Sequence, residues 1–186
     1  SQPMGFYSAA QIIRDAKNHG VEIKEVCINK SEWDHSLENN GKSCLNLRLG
    51  FRQIKGLSKN DVDRIIEERG NGYTDPQDLW HRIRLSPSII KLLVKANSFH
   101  SLNKNRRLLL WDAQAIKKTN SLALFEGYSE KEYLPEKSVN LPNMTSGEEL
   151  ILDYQSLRLS LSTHPVKLLR PFLKKSFIEK YCASSV

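Results

Sequence analysis

The 186-residue sequence is poor in cysteine and has no long apolar run. Its three cysteines, Cys27, Cys44 and Cys182, are widely spaced, odd in number and without a C-x-x-C pair. This usage predicts free thiols in a reducing cytoplasm rather than a disulfide framework or a zinc site. We do not expect His35 to complete a metal cluster with them. No apolar run reaches the length of a membrane span, and no signal peptide opens the chain.

Signatures of common catalytic sites are also missing: the sequence has no G-x-S-x-G, Walker loop or H-E-x-x-H. Phosphoryl transfer needs carboxylates that converge on divalent cations, which "DVD", Asp61 to Asp63, superficially offers. On a helix, however, residues two apart point about 200° away from each other and cannot share a metal. Asp61 is better explained by helix capping. We therefore expect no catalytic residue, metal site or cofactor in this chain.

Acidic residues are scarce in the middle third of the chain. The whole sequence has 28 Lys+Arg and 21 Asp+Glu, and residues 48–118 hold 15 and 7 of them, a net charge of 15 − 7 = +8. The rest of the sequence holds 13 Lys+Arg and 14 Asp+Glu, a net charge of −1. This concentration favours a nucleic-acid partner, although a solvated basic surface is the alternative.

The sequence pattern predicts a mainly α, α+β fold that begins with a small α/β unit. Ser8 and Gln11 form a capping box for a first helix, which Gly20 ends. Alternation predicts a strand over residues 21–28. It predicts a second strand in which three leucines share one side, Leu45, Leu47 and Leu49. The polar residues between the two strands predict turns.

After Gly50 the periodicity becomes helical. Capping signals and apolar spacing predict helices over residues 58–69, 75–82, 86–96 and 104–118. On the last of these helices the predicted inward face carries Leu108, Trp111 and Ala115.

Residues 119–145 are polar, contain proline and lack clear periodicity, which predicts a linker or extended arm. Ser146 with Glu149 forms a further capping box, which opens a helix with an apolar face. The last segment, which contains Pro165 and Pro171, is predicted to be helical in part.

A glycine turn in "GFRQIKGLSKNDVDRIIEERG" is the first candidate site. Gly56 gives the backbone freedom for a close approach, and Leu57 is expected to tuck inward between the helices. The outward amides and the start of the next helix would then cradle an anion, with lysines around it. The alternative is that Gly56 and Ser58 are only helix caps. The predicted phosphate-binding residues are Arg52, Lys55, Gly56, Ser58, Lys59 and Asn60.

A second turn of this kind is predicted about 40 residues later, in "ANSFHSL". It has no glycine, so Asn97 is expected to supply the positive φ, and Phe99 takes the place of Leu57. Basic residues crowd the start of the next helix, where they oppose the helix dipole unless an anion arrives. A solvated face is the alternative for the two arginines, and core packing for Phe99. The predicted phosphate contacts are Ser98, His100, Lys104, Arg106 and Arg107.

The three tryptophans are candidate platforms for base stacking. Trp80 and Trp111 lie in helical patterns, which favours core positions. Trp33 lies in a polar loop and could serve either purpose; we expect it to pack against the rest of its unit. Tyr154 is expected to have a structural role on an apolar helix face.

Several segments resemble known sequences. "IKGLS" is similar to the helix-hairpin-helix core, with Ser58 where a second glycine usually stands. "QPMGFYSAAQIIRDAKNHGVEIKEVCINKSEWDHSLE", "LRLGFRQIKGLS", "ALFEG" and "MTSGEELILDYQSLRLSLSTHPVKLLR" resemble successive segments of bacterial error-prone DNA polymerases. These belong to the C family, with the DNA polymerase III alpha subunit. The start "SQPMGF", without an initial methionine, indicates a piece of a larger protein.

The resemblance implies a domain plan. Residues 1–47 would be the C-terminal part of the polymerase fingers, and residues 48–118 a tandem helix-hairpin-helix module. Residues 119–186 would be a linker and helical connector toward an absent OB-fold domain.

The resemblance also implies a function: the tandem module grips primer-template duplex DNA through backbone phosphates, without reading sequence. The parent enzyme would be a magnesium-dependent nucleotidyltransferase in the bacterial cytoplasm, acting in translesion synthesis, DNA replication and DNA repair. Further partners would be other polymerase or mutagenesis subunits, with no membrane. The family's catalytic carboxylates lie upstream, so we expect no polymerase activity from this chain alone. The alternative is a helical scaffold whose basic face docks an acidic protein partner.

Overall fold

A computed structural model describes residues 7–39, 41, 45–116 and 141–176, with side chains up to residue 171. This part of the chain folds into seven α-helices and one three-stranded sheet. The mainly α, α+β class expected from the sequence is confirmed. Within the described ranges, no helix combines the length and apolar character that crossing a bilayer requires.

The N-terminal unit comprises helix α1 (Ala9–Asn18) and strands β1 (Ile23–Lys24), β2 (Ser36–Asn39) and β3 (Leu45–Arg48). The capping box at the start of α1 forms as predicted. Strand β3 is central, parallel to β1 and antiparallel to β2.

The first strand is much shorter than the predicted span of residues 21–28. After β1 the chain leaves the sheet, and Val26 and Ile28 become completely buried in the core. The Ile28 N–H then bonds to the Ser98 carbonyl at 2.8 Å instead of to a neighbouring strand. Tertiary contact with a distant turn therefore overrides the local alternation.

Strand β3 buries polar residues as well as placing a leucine in the core. Asn46 and Arg48 are buried and Leu45 is half exposed, while Leu49, directly after the strand, is buried. Arg48 tolerates burial because its Nε and Nη2 atoms donate to the two carboxylate oxygens of Glu38, and Nη1 donates to the Glu25 carbonyl. Strand β2, which carries Glu38, forms within the stretch predicted to be turns.

The Glu38–Arg48 pair predicts acid sensitivity. The hydrogen bonds that Glu38 accepts from Arg48, and to a lesser extent from Lys24, lower the pKa of Glu38 from 4.5 to about 2. The stabilisation is therefore full above pH 4.5 and is lost as pH falls toward 2. Allowing for the partial exposure of Glu38, we expect a loss of about 2 kcal/mol in unfolding free energy, measured by urea denaturation across this range.

A Glu38→Gln variant should lose this part of the acid dependence. Glu67→Gln removes the same charge from an exposed position and controls for net charge. A Glu38→Gln variant with the wild-type pH profile would contradict the assignment.

The rest of the described chain is helical. The helices are α2 (Lys59–Glu67), α3 (Pro76–Ile83), α4 (Pro87–Lys95), α5 (Arg106–Ala115), α6 (Ser146–Leu157) and α7 (Pro165–Ser176). Short 3₁₀ turns occupy Phe51–Gln53 and His100–Leu102.

Ser58 and Asp75 cap α2 and α3 as predicted. The capping box of α6 is Thr145 with Glu148, one residue before the predicted pair. Of the predicted linker, residues 119–140 lie outside the described residues.

Helix α5 buries a different face from the predicted one. Leu109, Ala113 and Ile116 are buried, whereas Trp111 is 47% exposed and is not a core residue. The buried Arg106 lies three residues before Leu109, on the same side of the helix. Arg106 forms an ion pair with Asp153 of α6, which joins this side of α5 to that helix.

The other two tryptophans pack partly buried against the core, as expected for Trp33 and Trp80. Tyr154 is 39% exposed rather than buried on its helix face. Cys27 is a buried free thiol, while Cys44 and Cys182 lie outside the described residues.

Candidate nucleic-acid interface

The first turn joins the 3₁₀ turn Phe51–Gln53 to α2 around Gly56. Gly56 has φ +87°, a conformation that L side chains adopt only with strain. Leu57 is buried as predicted, and its N–H reaches the Ile54 carbonyl at 3.4 Å. The apolar residues on either side thus face the core and leave the tip of the turn to solvent.

Several predicted phosphate-binding groups share this exposed tip. Lys59 and Asn60 are the first two residues of α2, where N–H groups have no carbonyl one turn earlier to bond. The Ser58 hydroxyl is occupied: it caps the Asp61 N–H and donates to the Asp61 carboxylate at 2.6 Å. The exposed residues of the turn are Lys55, Gly56, Ser58, Lys59 and Asn60.

The turn is supported from behind by two other helices. The Lys55 N–H donates to the Ser156 carbonyl at 2.9 Å, and the Gln53 amide donates to the Leu157 carbonyl at 2.8 Å. A Cβ atom on Gly56 would lie 3.3 Å from a methyl group of Leu92. The C-terminal end of α6 and the side of α4 therefore hold the turn in place.

The charges around the first turn are unequal in availability. Within the described residues, Lys55 and Lys59 form no ion pair, whereas Arg52 is held by Asp34 at 2.5 Å. Sequence reasoning missed two further exposed cations in this neighbourhood. Arg158 follows α6 directly, and the Lys95 carbonyl accepts a hydrogen bond from Ser156. Ser156 and Leu157, which accept the hydrogen bonds from the first turn, connect the backbones of these two residues to it.

The second turn has the predicted backbone but not the predicted accessibility. Asn97 adopts φ +57° and Phe99 is buried, both as expected. Ser98, however, is completely buried, and its N–H and hydroxyl both bond to the Leu93 carbonyl. The assignment of Ser98 as a phosphate contact is wrong, because a phosphate cannot reach it.

The N-terminal unit covers much of the second turn. The Asn97 side chain donates to the Glu25 carboxylate at 2.9 Å. His100 lies 3.9 Å from the same carboxylate, and its Nδ1 is 3.1 Å from the Asn97 carbonyl oxygen. A carboxylate therefore already stands where a phosphate was expected, which argues against His100 as a phosphate contact.

The basic residues that precede and begin α5 are also engaged. Arg106 is buried and pairs with Asp153 at 2.9 Å, while Arg107 pairs with Glu148 at 2.8 Å. Lys104 lies 4.0 Å from Asp75. The anions that these cations were expected to attract are carboxylates of the chain itself, and Arg106 in particular is a structural residue.

The described residues do not fit a magnesium site. They contain no group of three or more His, Cys, Asp or Glu side chains placed to hold a metal ion. Asp61 is engaged with Ser58 at the start of α2. No catalytic step is therefore assigned to these carboxylates.

Comparison with known proteins adds two findings. Residues 20–109, which include both turns, match the family model described as helix-hairpin-helix motif. The chain is 47% identical over 171 residues to an error-prone DNA polymerase of Ruegeria pomeroyi, covering 92% of this chain and 16% of that protein. It is 43% identical to the error-prone DNA polymerase of Brucella abortus, covering 91% of this chain and 16% of that protein. It is 40% identical to that of Sinorhizobium medicae, covering 91% of this chain and 17% of that protein. The chain thus spans about a sixth of the length of these relatives.

Proposed function

Because this chain is homologous to one segment of the error-prone DNA polymerases, we propose that it binds duplex DNA through backbone phosphates, independently of base sequence. The observation that carries the proposal is the first turn. Its tip is exposed, Lys59 and Asn60 begin α2, where N–H groups have no carbonyl one turn earlier to bond, and its two lysines lack carboxylate partners among the described residues. Such contacts fix the position of a duplex without distinguishing its bases.

The first turn and the second turn have different parts in this proposal. Lys55, Lys59 and the amides of Gly56 and Asn60 make the contact, while Arg52 contributes only by exchanging Asp34 for a phosphate. The second turn supports the first one from within the fold. Helix α4 leads into the second turn, and its Leu92 lies against Gly56.

The parent enzyme is proposed to be a template-directed nucleotidyltransferase of the bacterial cytoplasm that acts in translesion synthesis and DNA repair. Its magnesium-binding carboxylates would lie in another part of that enzyme, since the described residues offer no such cluster. We expect the isolated chain to show no polymerase activity in a primer-extension assay. Extension by the purified chain would overturn this expectation.

The test of DNA binding is the salt dependence of affinity for a fluorescent duplex. A surface that neutralises roughly 4–6 phosphates should give a log–log slope near −4 to −5. We expect Lys55→Glu with Lys59→Glu to weaken binding at least about tenfold and to reduce the slope by about 2. The cause is the loss of two phosphate contacts and the introduction of two repelling charges.

The matched control is Lys30→Glu with Lys167→Glu, which changes the net charge equally at two exposed lysines outside the turn. This control should weaken binding much less. Equal weakening in both variants would indicate general attraction to a basic protein rather than a defined contact. Unchanged duplex affinity in the turn variant would favour the alternative, a scaffold for an acidic protein.

A further inference from the structure

A pocket of about 220 Å³ lies between α1 and the segment that joins α6 to α7. Helix α1 contributes Arg14 and Lys17, the C-terminal half of α6 contributes Tyr154, and the joining segment contributes residues 159–164. None of the residues predicted to bind DNA lines this pocket.

The pocket lining is cationic. Arg14, Lys17 and His164 line it together with hydroxyl groups of the joining segment, and no acidic residue is among the lining residues. The Lys17 ammonium donates to the Leu161 carbonyl at 2.7 Å, which holds this charge against the segment. The His164 Nδ1 accepts the Val166 N–H at 3.3 Å, which holds the ring at the start of α7. The Ser160 hydroxyl is already engaged, since it donates to the Asp153 carboxylate at 3.0 Å. The positive charges of Arg14 and Lys17, with no acidic side chain among the described lining residues, suit a phosphate group.

Tyr154 adds an aromatic surface to the same pocket. Its side chain is 39% exposed and lines the pocket beside the cationic groups. Phosphate-binding cations next to an exposed aromatic ring are the combination that proteins use to hold single-stranded nucleic acid. The volume is below the roughly 300–1,000 Å³ of pockets that enclose whole small molecules, so the pocket can enclose only part of a nucleotide whose remainder continues along a strand outside it.

The pocket is joined to the first turn by a short stretch of backbone. The Ser156 and Leu157 carbonyls accept the hydrogen bonds that anchor Lys55 and Gln53. Arg158, exposed and with φ +60°, follows, and the pocket lining begins at Leu159. Along the chain, the exposed Arg158 thus lies between the residues that anchor the first turn and the pocket lining.

We propose that this pocket binds one nucleotide of the single strand that continues from the duplex held at the first turn. Its phosphate contacts Arg14 and Lys17, and its base or sugar packs on Tyr154. The inference rests on the proposed duplex binding and adds a second subsite to it.

The experiment uses the whole 186-residue chain and compares a blunt fluorescent duplex with duplexes that carry a 5′ or a 3′ single-stranded overhang. Stacking of one base predicts that one overhang tightens binding roughly fivefold to a hundredfold. Arg14→Glu and Tyr154→Ala should abolish this gain and leave blunt-duplex affinity within about twofold, because neither residue belongs to the first turn. Tyr154→Phe keeps the ring and should keep the gain, which separates stacking from a loss of fold.

The matched control is Lys30→Glu, an exposed lysine outside the pocket that gives the same charge change as Arg14→Glu. It should keep the overhang gain. An overhang gain that persists in Arg14→Glu, or wild-type protein that does not distinguish overhang from blunt duplex, overturns the proposal.

A free nucleotide is the other possible source of the phosphate, and deoxyadenosine monophosphate is the probe for it. Thermal stabilisation by this nucleotide without an overhang gain would assign the pocket to free nucleotides instead.

Failure of this inference can be told apart from failure of the proposed function. The Lys55→Glu and Lys59→Glu variant tests blunt-duplex binding and does not alter the pocket. Blunt-duplex binding that depends on these lysines, without any overhang gain, would leave the proposed function intact and remove only the pocket subsite.

Discussion

Replacing Gly50 by alanine is expected to cost about 3 kcal/mol or more in unfolding free energy. A Cβ atom on Gly50 would stand 2.3 Å from the Asp34 carbonyl oxygen and 2.5 Å from that of Trp33. Both are backbone atoms, so no side-chain rotation relieves the overlap. The backbone angles of Gly50 are extended, and the requirement is therefore space rather than a positive φ.

The close approach at Gly50 fixes the N-terminal unit to the start of the first turn. The Phe51 and Arg52 N–H groups donate to the Glu32 and Trp33 carbonyls, and the Gly50 N–H donates to His35 Nδ1 at 2.9 Å. Burial, followed by the charge of Arg52, lowers the pKa of His35, which keeps this nitrogen available as an acceptor. Displacing Asp34 would break these bonds together.

The control for this variant is Gly147→Ala. Gly147 lies in α6, its φ is not positive, and a Cβ there would meet no atom within 4 Å. Alanine should stabilise this helix by up to about 1 kcal/mol. Urea denaturation of both variants tests the comparison, and a Gly50→Ala protein as stable as the wild type would contradict the close approach.

Replacing Arg106 by alanine is the second change with a large expected effect, a loss of about 3–5 kcal/mol. The guanidinium is 6% exposed and its partner Asp153 is 13% exposed. Arg106 also donates to the Lys95 carbonyl, and Asp153 accepts a hydrogen bond from Ser160 at 3.0 Å. Without Arg106, the Asp153 charge is left buried and uncompensated, which is the reason for the large cost.

Two further variants identify the cause. Arg106→Met with Asp153→Leu replaces the pair by apolar groups and should recover most of the lost stability. Arg107→Ala removes the neighbouring arginine, whose pair with Glu148 is exposed, and should cost much less. Thermal unfolding and duplex binding are measured for all three proteins. An Arg106→Ala protein with wild-type stability but weakened DNA binding would restore Arg106 as a phosphate contact.

Local signals in the sequence were sufficient for most of the helices. The positions of Ser8, Ser58 and Asp75 as helix caps follow from short-range hydrogen bonds that any helix with these residues can form. The positive φ of Gly56 and Asn97 is likewise a local property of the turn residues. These features depend on neighbours within one helical turn, and the sequence contains those neighbours.

Burial and charge pairing could not be obtained in this way. Arg106 and Ser98 look like exposed polar residues in the sequence, but contacts 47 and 70 residues away along the chain decide their surroundings. The buried arginines of β3 and α5, Arg48 and Arg106, have the same origin, since each forms an ion pair with a carboxylate on another strand or helix.

By itself the sequence determined the α+β class, the two turns, the concentration of positive charge and the resemblance to error-prone DNA polymerases. The tertiary structure decided which of those charges are available to a partner. Eleven residues were predicted to contact phosphate, and long-range carboxylates and carbonyls already occupy most of those around the second turn. Only folding brings Asp153, Glu148 and Glu25 to these cations and amides, because the paired groups are far apart along the chain. Among the described residues the two lysines of the first turn form no ion pair, and the proposed DNA contact rests on them.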